Sequence, residues 1–201
     1  MAKQNEETRV IAIPKLNIRK MFVPIVGISP LMQNKPIPEE IKSKDLTPKD
    51  ECALRCWELE KPEKGYKYGH PATGVKASIV SAARTISSTN MQELAQCFGI
   101  TILDPSGCVP IDTSGWVIDR RPVTIQKKAM VMWSRPRYDV WGMTLQIEYD
   151  ADAVSSDDLL GAIVKAGLFV GIGTYRPEKQ QGRGGGPFGK FEIGDKVMEQ
   201  Q

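Results

Sequence analysis

Between Asp119 and Asp139 six cations, Arg120, Arg121, Lys127, Lys128, Arg135 and Arg137, stand against two acids, a balance of +4 over 21 residues. Trp133, Tyr138 and Trp141 are interleaved with them. Cations that hold phosphates, set beside aromatic rings that stack bases, are what a single strand of nucleic acid requires of a protein surface. The same composition also suits a solvated hairpin whose aromatic side turns to a core. Arg135-Pro-Arg-Tyr138 places two guanidiniums around one proline, a rigid arrangement that serves a phosphate or a subunit contact equally well.

A second concentration lies near the end. Gly167-Leu-Phe-Val-Gly-Ile-Gly-Thr-Tyr-Arg-Pro177 leads into a stretch in which five of the seven residues from 182 to 188 are glycine or proline. Such backbone takes positive φ and lets another chain approach closely. Tyr175, Arg176, Lys179, Arg183 and Lys190 add an aromatic ring and cations. The run is not a nucleotide-binding P-loop, because no Gly-Lys-Ser/Thr closes it and it leads into a strand, where a helix is required. A dinucleotide fingerprint fails for the same reason. It reads as the last hairpin of the fold, open to a strand of nucleic acid or to a neighbouring subunit.

Other chemistry is sparse. His70 is the only histidine, so any histidine acid–base step must use it; with no partner visible, packing at the start of a helix is the plainer role. Cys52, Cys56, Cys97 and Cys108 form no CxxC pair and read as buried reduced thiols, with no metal expected. No Ser-His-Asp order, nucleophile elbow or paired-carboxylate signature stands out. No cofactor is expected.

The whole chain carries only +3, so a polyanion site must come from where charge is placed. No apolar run approaches the ~20 residues of a membrane span, which predicts a cytoplasmic protein without a membrane partner. At 201 residues, 41% hydrophobic and 25% charged, one sizeable core is expected.

The elements that must position these residues follow from periodicity. Ile18 to Ile28 is a β-rich run in which Pro24 predicts an edge strand or a bulge. Thr47-Pro-Lys-Asp-Glu51 reads as a helix start. Val75, Ile79, Ala82, Ala83 and Ile86 form one stripe of a helix over 73–86, and a short helix follows over 91–98. Residues 100–103, 116–118, 123–125, 129–133 and 143–149 read as strands; in the last, Met143, Leu145, Ile147 and Tyr149 alternate with polar residues. A helix over 159–166, capped by Ser155 or Ser156 and ended by Gly167, precedes an apolar strand over 168–172 and a closing strand over 188–193. Two strand–helix–strand halves of this kind are what a ferredoxin-like βαββαβ core produces.

Three segments resemble the RAMP superfamily, the ferredoxin-like subunits of CRISPR effector complexes. They are Val26-Gly-Ile-Ser-Pro-Leu-Met32, Tyr68-Gly-His-Pro-Ala-Thr-Gly-Val-Lys-Ala77, and the tail Val170-Gly-Ile-Gly-Thr-Tyr-Arg-Pro with Gly186-Pro-Phe-Gly-Lys-Phe-Glu-Ile193. The chain is also similar to phage and prophage proteins of about this length. The resemblance implies an RNA- or single-strand-binding module that polymerises along its ligand. It also implies that His70 matches, by position, a histidine with which some members cleave RNA.

The expectation is therefore an α+β, ferredoxin-like (RRM-like) single domain over 1–201. It has an N-terminal arm over 1–16, an inserted basic β arm over 100–140 and a glycine-rich loop over 174–187. The expected function is non-enzymatic, oligomerising binding of single-stranded nucleic acid, RNA before DNA. Arg120, Arg121, Lys127, Lys128, Arg135, Arg137, Arg176 and Arg183 would take phosphates, Trp133 and Tyr138 would stack, and Tyr175 and Lys179 would complete the surface. The alternatives are a phage assembly or host-defence-interaction protein working through protein contacts, and a His70-dependent endoribonuclease.

Overall fold

The computed structural model describes residues 15–42, 45–62, 65–83, 91–125, 129–178 and 185–200. The fold is α+β, with antiparallel sheets and four α-helices among the described residues. Strands and helices are numbered in chain order. The principal sheet is built on β1 (Ile18–Gly27) and β8 (Gly142–Asp150), which pair antiparallel from Ile18 opposite Asp150 to Val26 opposite Gly142. β4 (Phe98–Ile100) flanks β8. The last two strands, β9 (Phe191–Ile193) and β10 (Met198–Gln200), lie end to end along the free side of β1.

Alternation decides which face of this sheet is covered. Met21, Val23 and Ile25 of β1 and Met143, Leu145, Ile147 and Tyr149 of β8 are buried. They share one core with Val75, Ile79 and Ala82 of helix α2 (Ala72–Ala82) and with Leu159, Ala162 and Ile163 of helix α4 (Ser156–Lys165). Phe22, Pro24, Val26, Thr144 and Gln146 point the other way, as a period of two requires. Helices α2 and α3 (Met91–Cys97) connect β1 to β4, and α4 connects β8 to β9.

Several sequence expectations are corrected. Pro24 lies in a central strand, where it was expected to mark an edge or a bulge. Its carbonyl accepts from the Gly194 amide at 2.8 Å, so its missing N–H faces the break between β9 and β10, where no ladder bond is lost. Helix α4 begins at Ser156, three residues before the expected 159, and its cap is as read, with the Ser155 Oγ accepting from the Asp158 amide at 3.0 Å. Its end is not. Gly167 does not stop the helix, which widens into a π-helical turn over Ala166–Val170 and ends at Gly171, at φ 69°. The expected strand over 168–172 is this turn. Gly167 serves close packing, since a Cβ there would collide with the Phe191 carbonyl. The strand expected over 100–103 is the three-residue β4, and the strands expected over 116–118 and 123–125 are one, β6 (Val117–Ile125).

The two long excursions from the principal sheet, over 28–68 and 101–141, meet in a second layer. Here β6 pairs with β7 (Ala129–Tyr138), and β2 (Leu31–Met32) pairs with the other side of β7. Helix α1 (Pro48–Leu54), capped by Thr47 with Pro48 in its first turn, packs on β7. A two-stranded piece, β3 (Gly69–Pro71) with β5 (Cys108–Pro110), joins the layers. Among the described residues no helix is long and apolar enough to cross a membrane.

Candidate nucleic-acid interface

The register of the β6–β7 hairpin sorts its side chains. Arg121 stands opposite Trp133, Asp119 opposite Arg135 and Val117 opposite Arg137. Directly opposed residues share a face, so Asp119, Arg121, Trp133, Arg135 and Arg137 lie together, and Arg120, opposite Ser134, lies on the reverse face.

Asp119 organises the shared face. Its buried carboxylate accepts from Arg121 Nε at 2.5 Å and Nη2 at 3.0 Å, and from Arg137 Nη1 at 3.0 Å. Burial alone would raise this carboxyl; hydrogen bonds from Arg121 and Arg137 outweigh it and hold the carboxyl below the usual range. Arg137 also donates to Asp139 through Nε at 2.7 Å. The two guanidiniums are thus aimed by carboxylates, and their charge is partly spent within the protein. Arg120 is exposed and makes no ion pair among the described residues.

Beneath this surface lies a buried polar cluster. Glu51, in α1, accepts from Arg55 Nη2 at 3.0 Å and from the Ser134 amide at 2.8 Å. The Asn34 side-chain oxygen accepts from Arg55 Nη1 at 2.8 Å and from Arg135 Nε at 3.4 Å. The ring centroid of Trp133 has the Arg55 guanidinium at 4.5 Å and that of Arg135 at 5.2 Å. Arg135 is 4% exposed, pairs with no carboxylate among the described residues, and leaves Nη1 without a hydrogen-bond partner. Of the two buried guanidiniums only Arg55 meets a carboxylate, and the pair share the Asn34 oxygen and the Trp133 ring.

Tyr175 closes the cluster from the glycine-rich loop. Its ring centroid lies 5.1 Å from the Arg135 guanidinium and 5.9 Å from that of Arg121, which in turn lies 4.7 Å from the Phe188 ring. Tyr175 is the one described non-glycine residue with positive φ, 59°, in the region where a side chain crowds the backbone. The loop packs on itself: the Gly186 amide donates to the Arg176 carbonyl at 2.9 Å and the Phe188 amide to the Tyr175 carbonyl at 3.2 Å. A Cβ at Gly185, Gly186 or Gly189 would run into the carbonyl of Pro177, Tyr175 or Ile172 respectively. These glycines admit the loop's own backbone, a correction to the view of an open cradle.

Of the expected site residues, Arg120, Arg121, Arg137 and Tyr175 line one shallow depression with Ile118, Asp119 and Pro122. Two of these guanidiniums, Arg121 and Arg137, bond the Asp119 carboxylate there. Arg135 and Trp133 lie just under it. Arg176 pairs with Glu178 at 2.7 Å. Tyr138 is corrected: it is fully buried, its hydroxyl donates to Gln33 Oε1 at 3.3 Å, and its ring packs edge-on against Tyr68. No face of it is open to a base. Lys127, Lys128, Lys179 and Arg183 lie outside the described residues, as does most of the N-terminal arm. Arg55, Glu51, Asn34 and Phe188 were not foreseen, although Glu51 and Arg55 stand at i,i+4, the helical spacing of an ion pair.

His70 is 6% exposed, with Nδ1 unpartnered. Burial, and secondarily the Arg176 charge, lower it to about 4, so it is neutral at physiological pH. The thiols of Cys52 and Cys56 are buried and free; burial raises them to about 11 and about 12. Searched against protein-family models and against curated proteins, the chain matches none of them.

Proposed function

We propose that this chain is a ferredoxin-like, RAMP-type module that binds single-stranded nucleic acid, RNA before DNA, without catalysing a reaction, and that it self-associates along the strand in the cytoplasm. The observation that carries the proposal is the depression at the edge of the hairpin that Arg121 and Arg137, Arg120 from the reverse face, and the partly exposed Tyr175 all line. Guanidiniums grip phosphates and a ring stacks a base, the combination that single-strand binding uses. Tyr175 is held there at a backbone cost, and such costs cluster at binding sites.

The sheet supports the fold reading. Numbering its segments by chain order as β1, β4, β8 and the β9–β10 pair, their spatial order is fourth, first, third, second. The helical connections fall between first and second and between third and fourth, the βαββαβ order. Burial of His70 in its neutral form weighs against His70-dependent cleavage. A second reading, a protein-assembly contact, draws on Met130 and Met132, exposed on β7 at 75% and 48%.

The test is anisotropy of labelled RNA and DNA single strands between about 50 and 200 mM salt. Log affinity should fall linearly with log salt, and Arg120→Ala and Arg121→Ala should each flatten the slope by about 0.7. Absence of salt-sensitive binding at the lower salt sinks the proposal. A defined assembly by light scattering, free of nucleic acid and lost in Met130→Glu, points to the second reading.

A further inference from the structure

The uncovered face of the principal sheet carries a separate cavity of about 500 Å³, the size of small-molecule sites. Its floor is Phe22 and Val26 of β1 with Thr144 and Gln146 of β8, and its walls are the segments containing Tyr66 and Leu103. The Leu103 side chain is 77% exposed and Val26 47%. Aromatic and aliphatic surfaces are therefore held open to solvent around a hollow.

The walls are fixed in advance. The Asp104 carboxylate accepts from the backbone amides of Lys61 at 2.8 Å, Ser106 at 2.9 Å and Glu60 at 3.1 Å, tying the two walls together. Burial would raise this carboxyl, but the hydrogen bonds from Ser106, Lys61 and Glu60 bring it down to about 2, so the tie holds at neutral pH.

Four polar side chains in the hollow are unused. The residues Thr101, Thr144, Gln146 and Asp112 all line it, and their side chains make no hydrogen bond among the described residues. Charge decides the class of ligand. Asp104 and Asp112 outnumber Lys61, so the cavity is no cradle for a polyphosphate. It offers a free carboxylate acceptor, an amide that both donates and accepts, two hydroxyls, and flat apolar contact from Phe22 and Tyr66. A planar heterocycle with an amino group satisfies all of these, and the Lys61 ammonium can meet one phosphate on its sugar.

We propose that this cavity binds a nucleobase bearing an exocyclic amine (adenine, cytosine or guanine), placed by Gln146 and Asp112 against Phe22 and Tyr66. The base could come from a free nucleotide or from a strand, and the experiment separates the two. AMP, CMP, GMP and UMP are titrated into the full chain and followed by amide chemical shifts, with Gln146→Leu, Thr144→Trp and Arg120→Ala as variants. Cross-linking of an RNA carrying 5-iodocytidine is mapped in parallel by mass spectrometry.

The expected result is that CMP, AMP or GMP binds more tightly than UMP. Gln146→Leu should weaken it about tenfold, as one lost hydrogen-bonded contact does. Thr144→Trp, which fills an exposed part of the floor, should abolish binding, and Arg120→Ala should leave it unchanged. Cross-links at Phe22 or Tyr66 without monophosphate binding assign the site to a base within a strand; monophosphate binding without them assigns it to a free nucleotide. The inference is overturned if neither is seen, if UMP binds as well as CMP, or if Thr144→Trp binds like the wild type. Salt-sensitive RNA binding that depends on Arg120 and Arg121, with no cross-link at the sheet, would leave the hairpin proposal standing while removing this one.

Discussion

The Arg135 guanidinium lies 5.1 Å from the ring centroid of Tyr175, and Tyr175 holds that position with its backbone at φ 59°. A left-handed non-glycine residue costs about 1 kcal/mol or more, and a desolvated cation–π contact returns a similar amount. The pairing is thus close to neutral for stability, and its effect is to keep an aromatic ring at the rim of a cationic hollow.

Tyr175→Gly separates the two roles. It removes the strain together with the ring contacts, so the melting temperature should move by no more than about 2–4 °C, the equivalent of 1 kcal/mol in a chain of this size. Affinity for a single strand should fall about tenfold, a stacking loss of 1–3 kcal/mol. A large loss of stability with unchanged binding would show that the ring is structural.

Glu51 should be the most sensitive polar position. Glu51→Gln leaves the Arg55 guanidinium buried without its carboxylate and should cost about 3–5 kcal/mol in urea unfolding. Replacing both partners, as in Glu51→Leu with Arg55→Leu, should recover most of that loss, because the pair must itself be desolvated. If the single and double variants are equally unstable, the ion pair is not the cause.

His70 predicts acid sensitivity. Its folded pKa, about 4, lies below the ordinary histidine value of 6.5, so the unfolded chain takes up a proton that the folded one refuses. The associated stability is complete above pH 6.5 and is lost as the pH falls from there toward 4, by about 3 kcal/mol at most. Denaturant midpoints across that window should fall in the wild type and flatten in His70→Phe. An equal slope in both would place the titrating group elsewhere.

Two glycines should behave oppositely. Gly189→Ala sets a Cβ against the Ile172 carbonyl at φ 70°, and should cost more than about 2 kcal/mol. Gly161, within α4, has open space around its Cβ position, and Gly161→Ala should stabilise by about 0.5–1 kcal/mol. Calorimetric melting of the two variants checks both signs.

Local rules accounted for much of this. The alternation of Met143, Leu145, Ile147 and Tyr149 marked β8, and Ser155 with Asp158 marked the start of α4, because both signals are complete within a few residues. The cations of the hairpin were also visible, but their pairing was not. Asp119 takes up Arg121 and Arg137 through cross-strand register, which a composition count does not contain. Trp133 and Tyr138 could not both have faced a ligand from one strand: five residues apart, they lie on opposite faces. Tyr138 goes to the core because β2, more than 100 residues away, pairs with it through Leu31. The self-packing of the glycine loop and the break between β9 and β10 that accommodates Pro24 likewise arise from contacts between distant segments.

The union of two excursions in the second layer has a kinetic consequence. The β6–β7 hairpin is local and can form on the microsecond scale of such units. Leu31 against Tyr138, Glu51 against Ser134 and Asn34 against Arg135 each close loops of roughly 80 to 110 residues, an entropic cost that nearby contacts must offset first. The principal sheet, which brings Val26 beside Gly142, shortens every one of those loops at once. Refolding should therefore show core formation ahead of the buried arginine cluster, so a chain released early would have its sheet in place while its cationic surface was still being assembled.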